Sequence, residues 1–161
     1  TIALFVAMAV ALHWMESFIP RPAPFLKFGL ANIMTLCTLY AFGGPWSIFV
    51  AASRVLIAST LSGSIFSPAF AFSLCGGLAA GLCMWAMPKS RFSPVGVSVG
   101  GAVCHMAAQV SLATFVVQHT FLVHILPFFL LVSVITGMVN GYLVKMIIEV
   151  MEERQSVFPP H

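Results

Sequence analysis

The stretch "HWMESFIPRPAPFLKFGLANI", residues 13–33, decides how the chain must be cut. One apolar run ends on Glu16, three prolines and the cations Arg21 and Lys27 follow, and a second run opens with Asn32 just inside it. Proline has no N–H to give a helix and pushes its predecessor towards extended backbone, so a proline cluster separates helices. Two spans therefore flank a short polar break, and a carboxylate and an amide stand close to that break.

The same punctuation recurs along the chain. "FGGP" (42–45), "SGSIFSP" (62–68), "MPKSRFSP" (87–94) and "VVQHTFLVHILP" (116–127) divide it into runs of about 1–17, 28–42, 45–61, 68–87, 94–118 and 122–148, with a polar tail over 149–161. A helix needs about 20 apolar residues, roughly 17–25, to cross a bilayer. Composition agrees, with 60% hydrophobic and 7% charged residues and a mean hydropathy of +1.05, against roughly 45–50% apolar and 25% charged in soluble domains. Hydrocarbon satisfies no backbone group, so separate spans of this length must be helical. The expectation is an all-α, polytopic bundle of six transmembrane helices forming a single integral-membrane domain over residues 1–161. The first run is short and does not begin with Met, which reads as a missing natural start; it has neither the basic n-region nor the cleavage site of a signal peptide.

Cations set the orientation. Lys89 and Arg91 lie in the fourth break, and Lys145 and Arg154 lie at and beyond the last span, so the positive-inside tendency puts that break and both termini in the cytoplasm. Arg21 and Lys27 then fall outside, against the tendency.

Ionisable and amide groups inside spans are costly and face the bundle interior or a cavity. Arg54 lies mid-span in "FVAASRVLIAST", and Glu16, Asn32, Ser73 and Gln109 fall at matching depths. Two readings follow: a buried Glu16–Arg54 pair that locks the bundle, or a pocket whose polar groups receive a ligand. His105 and Gln109 are four apart in "GGAVCHMAAQVSL" and share a helix face. In "SVITGMVNGYL", Ser133, Gly137, Asn140 and Gly141 mark a close-packing face, with Asn140 deeper towards the cytoplasm and acting as a tie between helices. Ala3, Ala7 and Ala11 repeat at intervals of four and give the first helix a smooth face on which a partner helix can dock.

His13 and Glu16 are three apart, a weak metal pair without a second carboxylate motif. Cys37, Cys75, Cys83 and Cys104 lie inside spans without CxxC spacing; they read as small hydrophobes, or as the four thiolates of an iron–sulfur centre. The chain contains no aspartate, which excludes an aspartate-rich magnesium site for a prenyl diphosphate. No P-loop and no nucleophile elbow occur either. No catalytic residue is expected.

"HWMESFIP", "KFGLANIMTLCTLYAFG", "SRVLIASTLSGSIFSPAFAFSLCGGLAAGLCMWAM", "FSPVGVSVGGAVCHMAAQ" and "VITGMVNGYL" together resemble the Gx transporter family, also labelled heptaprenyl diphosphate synthase component I. That family is similar to the substrate-binding S components of energy-coupling factor transporters. The resemblance implies six helices with both termini inside and a small-residue face on the first helix that meets a coupling membrane subunit. It also implies ATPase partners; the chain is expected in the cytoplasmic (inner) membrane of a bacterium, with no resident cofactor and no nucleic acid. A second implication is a membrane subunit of an electron-transfer complex, working beside flavin, iron–sulfur or quinone subunits. On the transport reading, Glu16 ends the first helix at the outer face. With Lys27, Asn32 and Arg54 it forms the lip and wall of an outward-facing pocket, joined by Ser73, His105 and Gln109. Trp14 and Phe28 suit that pocket to a ring with a charged substituent, flavin- or quinone-precursor-like.

Overall fold

The computed structural model describes residues 1–18, 29–118 and 121–157. Six helices and no strand occur among them: α1 (Ile2–Ser17), α2 (Ala31–Phe42), α3 (Gly44–Leu61), α4 (Pro68–Ala86), α5 (Pro94–Val117) and α6 (Phe121–Val157). The punctuation read from the sequence is visible in the caps. Ser67 and Ser93 are N-caps, each followed by proline, and their hydroxyls accept from the N–H of Phe70 at 3.2 Å and of Gly96 at 3.3 Å. Proline suits the first helical position because the N–H it lacks would be unpaired there.

Two boundaries differ from expectation. Helix α6 runs nine residues past 148, because "EVMEERQSV" contains no helix breaker before Pro159; Lys145 and Glu149 pair across one turn of it at 3.7 Å. Pro127 lies inside α6 instead of ending the preceding break.

The chain is built inside out relative to a soluble protein. Glu16, Arg54, Ser73, His105, Gln109, Ser133 and Asn140 are buried, while Leu4, Met8, Trp46, Phe49, Phe115, Phe128 and Leu131 are exposed. Helices α3, α4, α5 and residues 121–151 of α6 are long and apolar enough to cross a membrane; α1 and α2 are shorter apolar helices. This is a multi-pass membrane protein.

Helix α2 is the innermost, packed on α1, α3, α4 and α6. Its Ile33, Leu36, Cys37 and Leu39 meet Ala80 and Met84 of α4, Val97 of α5 and Val144 of α6. Where lipid replaces water, close packing of this kind holds helices together. At the end of α2 the Leu39 carbonyl accepts from the Gly43 N–H at 3.2 Å and also from Lys89, of the α4–α5 connection, at 2.7 Å, with the ammonium 5.0 Å from the centre of the Tyr40 ring.

The most extensive packing joins α5 and α6. A Cβ on Gly141 would lie 2.6 Å from Val95 Cα, and one on Gly137 would lie 2.8 Å from Val99 Cα. Backbone meets backbone there, so nothing can give way. Gly141→Ala is expected to cost about 1–3 kcal/mol through overpacking, seen as a lower midpoint of thermal unfolding in detergent. Gly96→Ala, whose Cβ would meet nothing closer than 3.6 Å, is the matched control and leaves the midpoint near that of the wild type.

Candidate functional site

The site begins at a one-residue turn. Gly43 joins α2 to α3 with φ 94° and ψ 177°, a region open essentially to glycine alone. The two helices run antiparallel from it, so residues equidistant from Gly43 along the chain face each other at one level. Asn32 and Arg54 are such a pair, 22 residues apart, and the Arg54 Nη2 donates to the Asn32 Oδ1 at 2.7 Å. Arg54 is 3% exposed. Glycine on α4 makes its room: a Cβ on Gly77 would approach Arg54 Nη2 to 3.5 Å, and one on Gly76 would come within 2.9 Å of both His105 and Gln109.

Glu16, in the last turn of α1 and 2% exposed, accepts from the Gly29 N–H at 2.6 Å. Gly29 holds φ 74°, and its carbonyl accepts from the Asn140 Nδ2 at 3.2 Å. This one glycine is thus gripped by α1 through its N–H and by α6 through its carbonyl. The carboxylate also stands at the positive end of α2, where an anion is favoured.

His105 is at the midpoint of α5, Asn140 at that of α6, and Arg54 near that of α3. The end of α1 and the start of α2 therefore meet at mid-height in the bundle. Non-helical backbone inside a bundle of apolar helices, as at Gly29, is tolerated where protein buries it or a cavity adjoins it.

The residues singled out in the sequence fall into three groups. Glu16, Asn32, Arg54, Ser73 and His105 come together with His13 and Gly29 around one small cavity. Gln109 lies one turn further along α5, where its amide donates to the Phe72 carbonyl at 3.2 Å and its Oε1, fully buried, has no hydrogen-bond partner among the described residues. Lys27, with Arg21 and Phe28, lies outside the described residues.

The geometry bears on the expectations in detail. Glu16, in the last turn of α1, lies at the level of Asn32 and Arg54. Its carboxylate acts on the Arg54 charge without an ion pair within 4.0 Å; each partner is held by an amide group instead. Among the described residues the enclosed space is about 10 Å³, roughly one water by the size such a molecule requires, so no ring-sized pocket stands open between them. Asn140, expected deeper, lines a second cavity of the same size that shares Gly29, Asn32 and His105 with the first. It remains a tie between helices, but at the level of the site.

Trp14 is 52% exposed and faces a different feature. With Ala3, Ala7, Ala11, Ile57 and Leu61 it lines an open apolar groove of about 440 Å³ between α1 and α3. The four cysteines do not converge, and no three His, Cys or Glu side chains among the described residues are grouped as a metal ion requires. Cys83 and Cys104 do meet, thiol to thiol, across α4 and α5.

Sequence reading missed Gly29, Gly76 and Gly77, whose only signal is the absence of a side chain, and used His13 only as a metal candidate. Equal spacing about the "GG" of the second break was the one available clue to the Asn32–Arg54 pair.

Asn32→Leu removes the acceptor from a buried guanidinium, an expected loss of about 1–3 kcal/mol or more for a charged donor. The double variant Asn32→Leu/Arg54→Leu should recover much of that loss, since breaking a buried pair is worse than replacing it. Thermal unfolding of the two variants in detergent checks both outcomes.

Compared with known proteins, residues 5–147 match the model of the family described as heptaprenyl diphosphate synthase component I. No curated protein and no solved structure matches the chain.

Proposed function

The chain belongs to the heptaprenyl diphosphate synthase component I family, and from that premise we propose that it is the non-catalytic, substrate-binding membrane component of an energy-coupling-factor-like uptake system. The observation that carries this reading is the polar cluster of Glu16, Asn32, Arg54, Ser73 and His105 at the level where α1 ends and α2 begins. Six spans with both termini cytoplasmic, in the inner membrane of a bacterium, complete it. A pure lock would need one pair of charges. Here two charges are held apart by separate amide partners, and groups from five helices converge on one small space.

A synthase role gains no support from the side chains. Glu16 is the one carboxylate in the cluster, and without aspartate the chain lacks an aspartate-rich magnesium site for a prenyl diphosphate. The small polar molecule taken up would instead exchange with the amide partners of Glu16 and Arg54.

The second half of the reading is docking. Ala3, Ala7 and Ala11 are exposed along one face of α1 and line the open groove beside α3, where a coupling subunit would lay a helix across the small side chains. ATPases would then act through that subunit.

Gentle extraction from the native membrane, followed by mass spectrometry of every co-purifying chain, tests the proposal. Coupling and ATPase subunits are the expected result. Flavoprotein or iron–sulfur subunits in their place would overturn it in favour of an electron-transfer complex. Ala7→Leu and Ala11→Leu are expected to remove the coupling subunit from the preparation while leaving the unfolding midpoint of the isolated chain within a few tenths of a kcal/mol of the wild type, as exposed substitutions do.

A further inference from the structure

From the way the site fills itself, we infer that its ligand is a neutral planar molecule carrying an amide-type N–H beside a C=O, such as a cyclic amide, imide or ureide. The inference rests on the uptake reading above and names the substrate class of that site.

The two charged groups of the cluster are each satisfied by half of an amide. Glu16 receives an N–H, that of Gly29 at 2.6 Å, and Arg54 receives a C=O oxygen, that of Asn32 at 2.7 Å. Gly29 and Asn32 are three residues apart at the start of α2, so one short segment presents both edges. A ligand that displaces this segment must return a donor to Glu16 and an acceptor to Arg54, because a buried charge left without its partner costs more than the pair is worth. A ring N–H next to a ring C=O returns both at once.

Charge balance selects against an anion. A carboxylate ligand would satisfy Arg54 but meet Glu16 as a like charge across the same small cavity. A cation would repeat the conflict with Arg54. A neutral ligand with one donor and one acceptor conflicts with neither.

A separate observation points to an acceptor that the described residues do not supply. The Arg54 Nε is buried and has no hydrogen-bond partner among the described residues, although the side chain lines the cavity and is 3% exposed. The guanidinium has five donors in a fixed fork, and Asn32 accepts from one nitrogen only. A second carbonyl, as an imide or ureide carries, would answer the remaining edge.

The test uses the purified full chain in detergent and three probes: lumichrome, which has ring N–H groups beside carbonyls; its dimethyl derivative, in which both ring N–H groups are methylated; and naphthoate, an aromatic anion of comparable reach. Binding is read by lumichrome fluorescence and by the shift in thermal unfolding. Lumichrome is expected to bind at least tenfold more tightly than either of the other two. Asn32→Ala, which removes the internal competitor for Arg54, should tighten lumichrome binding several-fold although it lowers the stability of the empty protein. Glu16→Gln, which leaves the Arg54 charge unbalanced, should shift preference towards naphthoate by tenfold or more. The inference is overturned if the dimethyl derivative binds as well as lumichrome, if naphthoate is preferred by the wild type, or if lumichrome does not bind. If coupling and ATPase subunits still co-purify with the chain in those cases, only the ligand class falls and the uptake reading stands.

Discussion

A guanidinium buried at mid-height in a bundle of apolar helices is the constraint that the rest of this structure serves. An arginine at the centre of a membrane helix costs about 2.5–3.5 kcal/mol even on the mildest scale, so an acceptor must be brought to it. The chain supplies one with the side chain of Asn32, and everything nearby is arranged so that this contact can form. Gly43 sets the register of α2 against α3, Gly77 leaves space on α4, and Glu16 balances the charge from the end of α1 without touching it. Because α1 and α2 must both reach Arg54 from the same side of the bundle, their ends meet at its level. Gly29 at that meeting point is tied to α6 by Asn140.

Much of this architecture was legible in the sequence, for a physical reason. Proline, glycine and charge cannot sit cheaply inside a lipid-facing helix, so they mark the breaks, and Ser67–Pro68 and Ser93–Pro94 begin α4 and α5 where such pairs should. The polar residues that gather at the site were equally visible as costly exceptions within apolar runs. What could not be read was their pairing. Hydropathy gives depth along a span but no azimuth about the helix axis, so the sequence left open whether Glu16 and Arg54 pair directly or line a pocket, and did not show that each is held by an amide. Asn140, expected deeper, lines a cavity that shares Gly29, Asn32 and His105 with the site, because the level of the site depends on where α1 stops. The end of α6 was missed differently, since residues 149–157 are polar and polarity says nothing against a helix.

The two faces of α1 show how a membrane chain divides its work. One buries Ala9, whose small side chain lets α1 lie against Met34 of α2 and Val50 of α3, and ends on Glu16. The other exposes Ala3, Ala7 and Ala11, whose small side chains leave an open groove beside Ile57 and Leu61 of α3 among the described residues. A helix surface that is smooth, apolar and unfilled contributes nothing to packing within the bundle, and its residues cannot be explained by stability alone. The link between site and groove is the helix itself, since Trp14 lies within one turn of Glu16 and faces the groove.

The one-residue turn at Gly43 also bears on how the protein enters its membrane. With no loop to close, α2 and α3 can pair as soon as both have been synthesised, and the contact between them is local in sequence. Asn32 leaves the ribosome before Arg54, so the guanidinium need not cross into lipid ahead of its acceptor. A longer connection at this point would loosen the register of α2 against α3 and would expose the nascent chain to an unpaired charge at the moment of insertion.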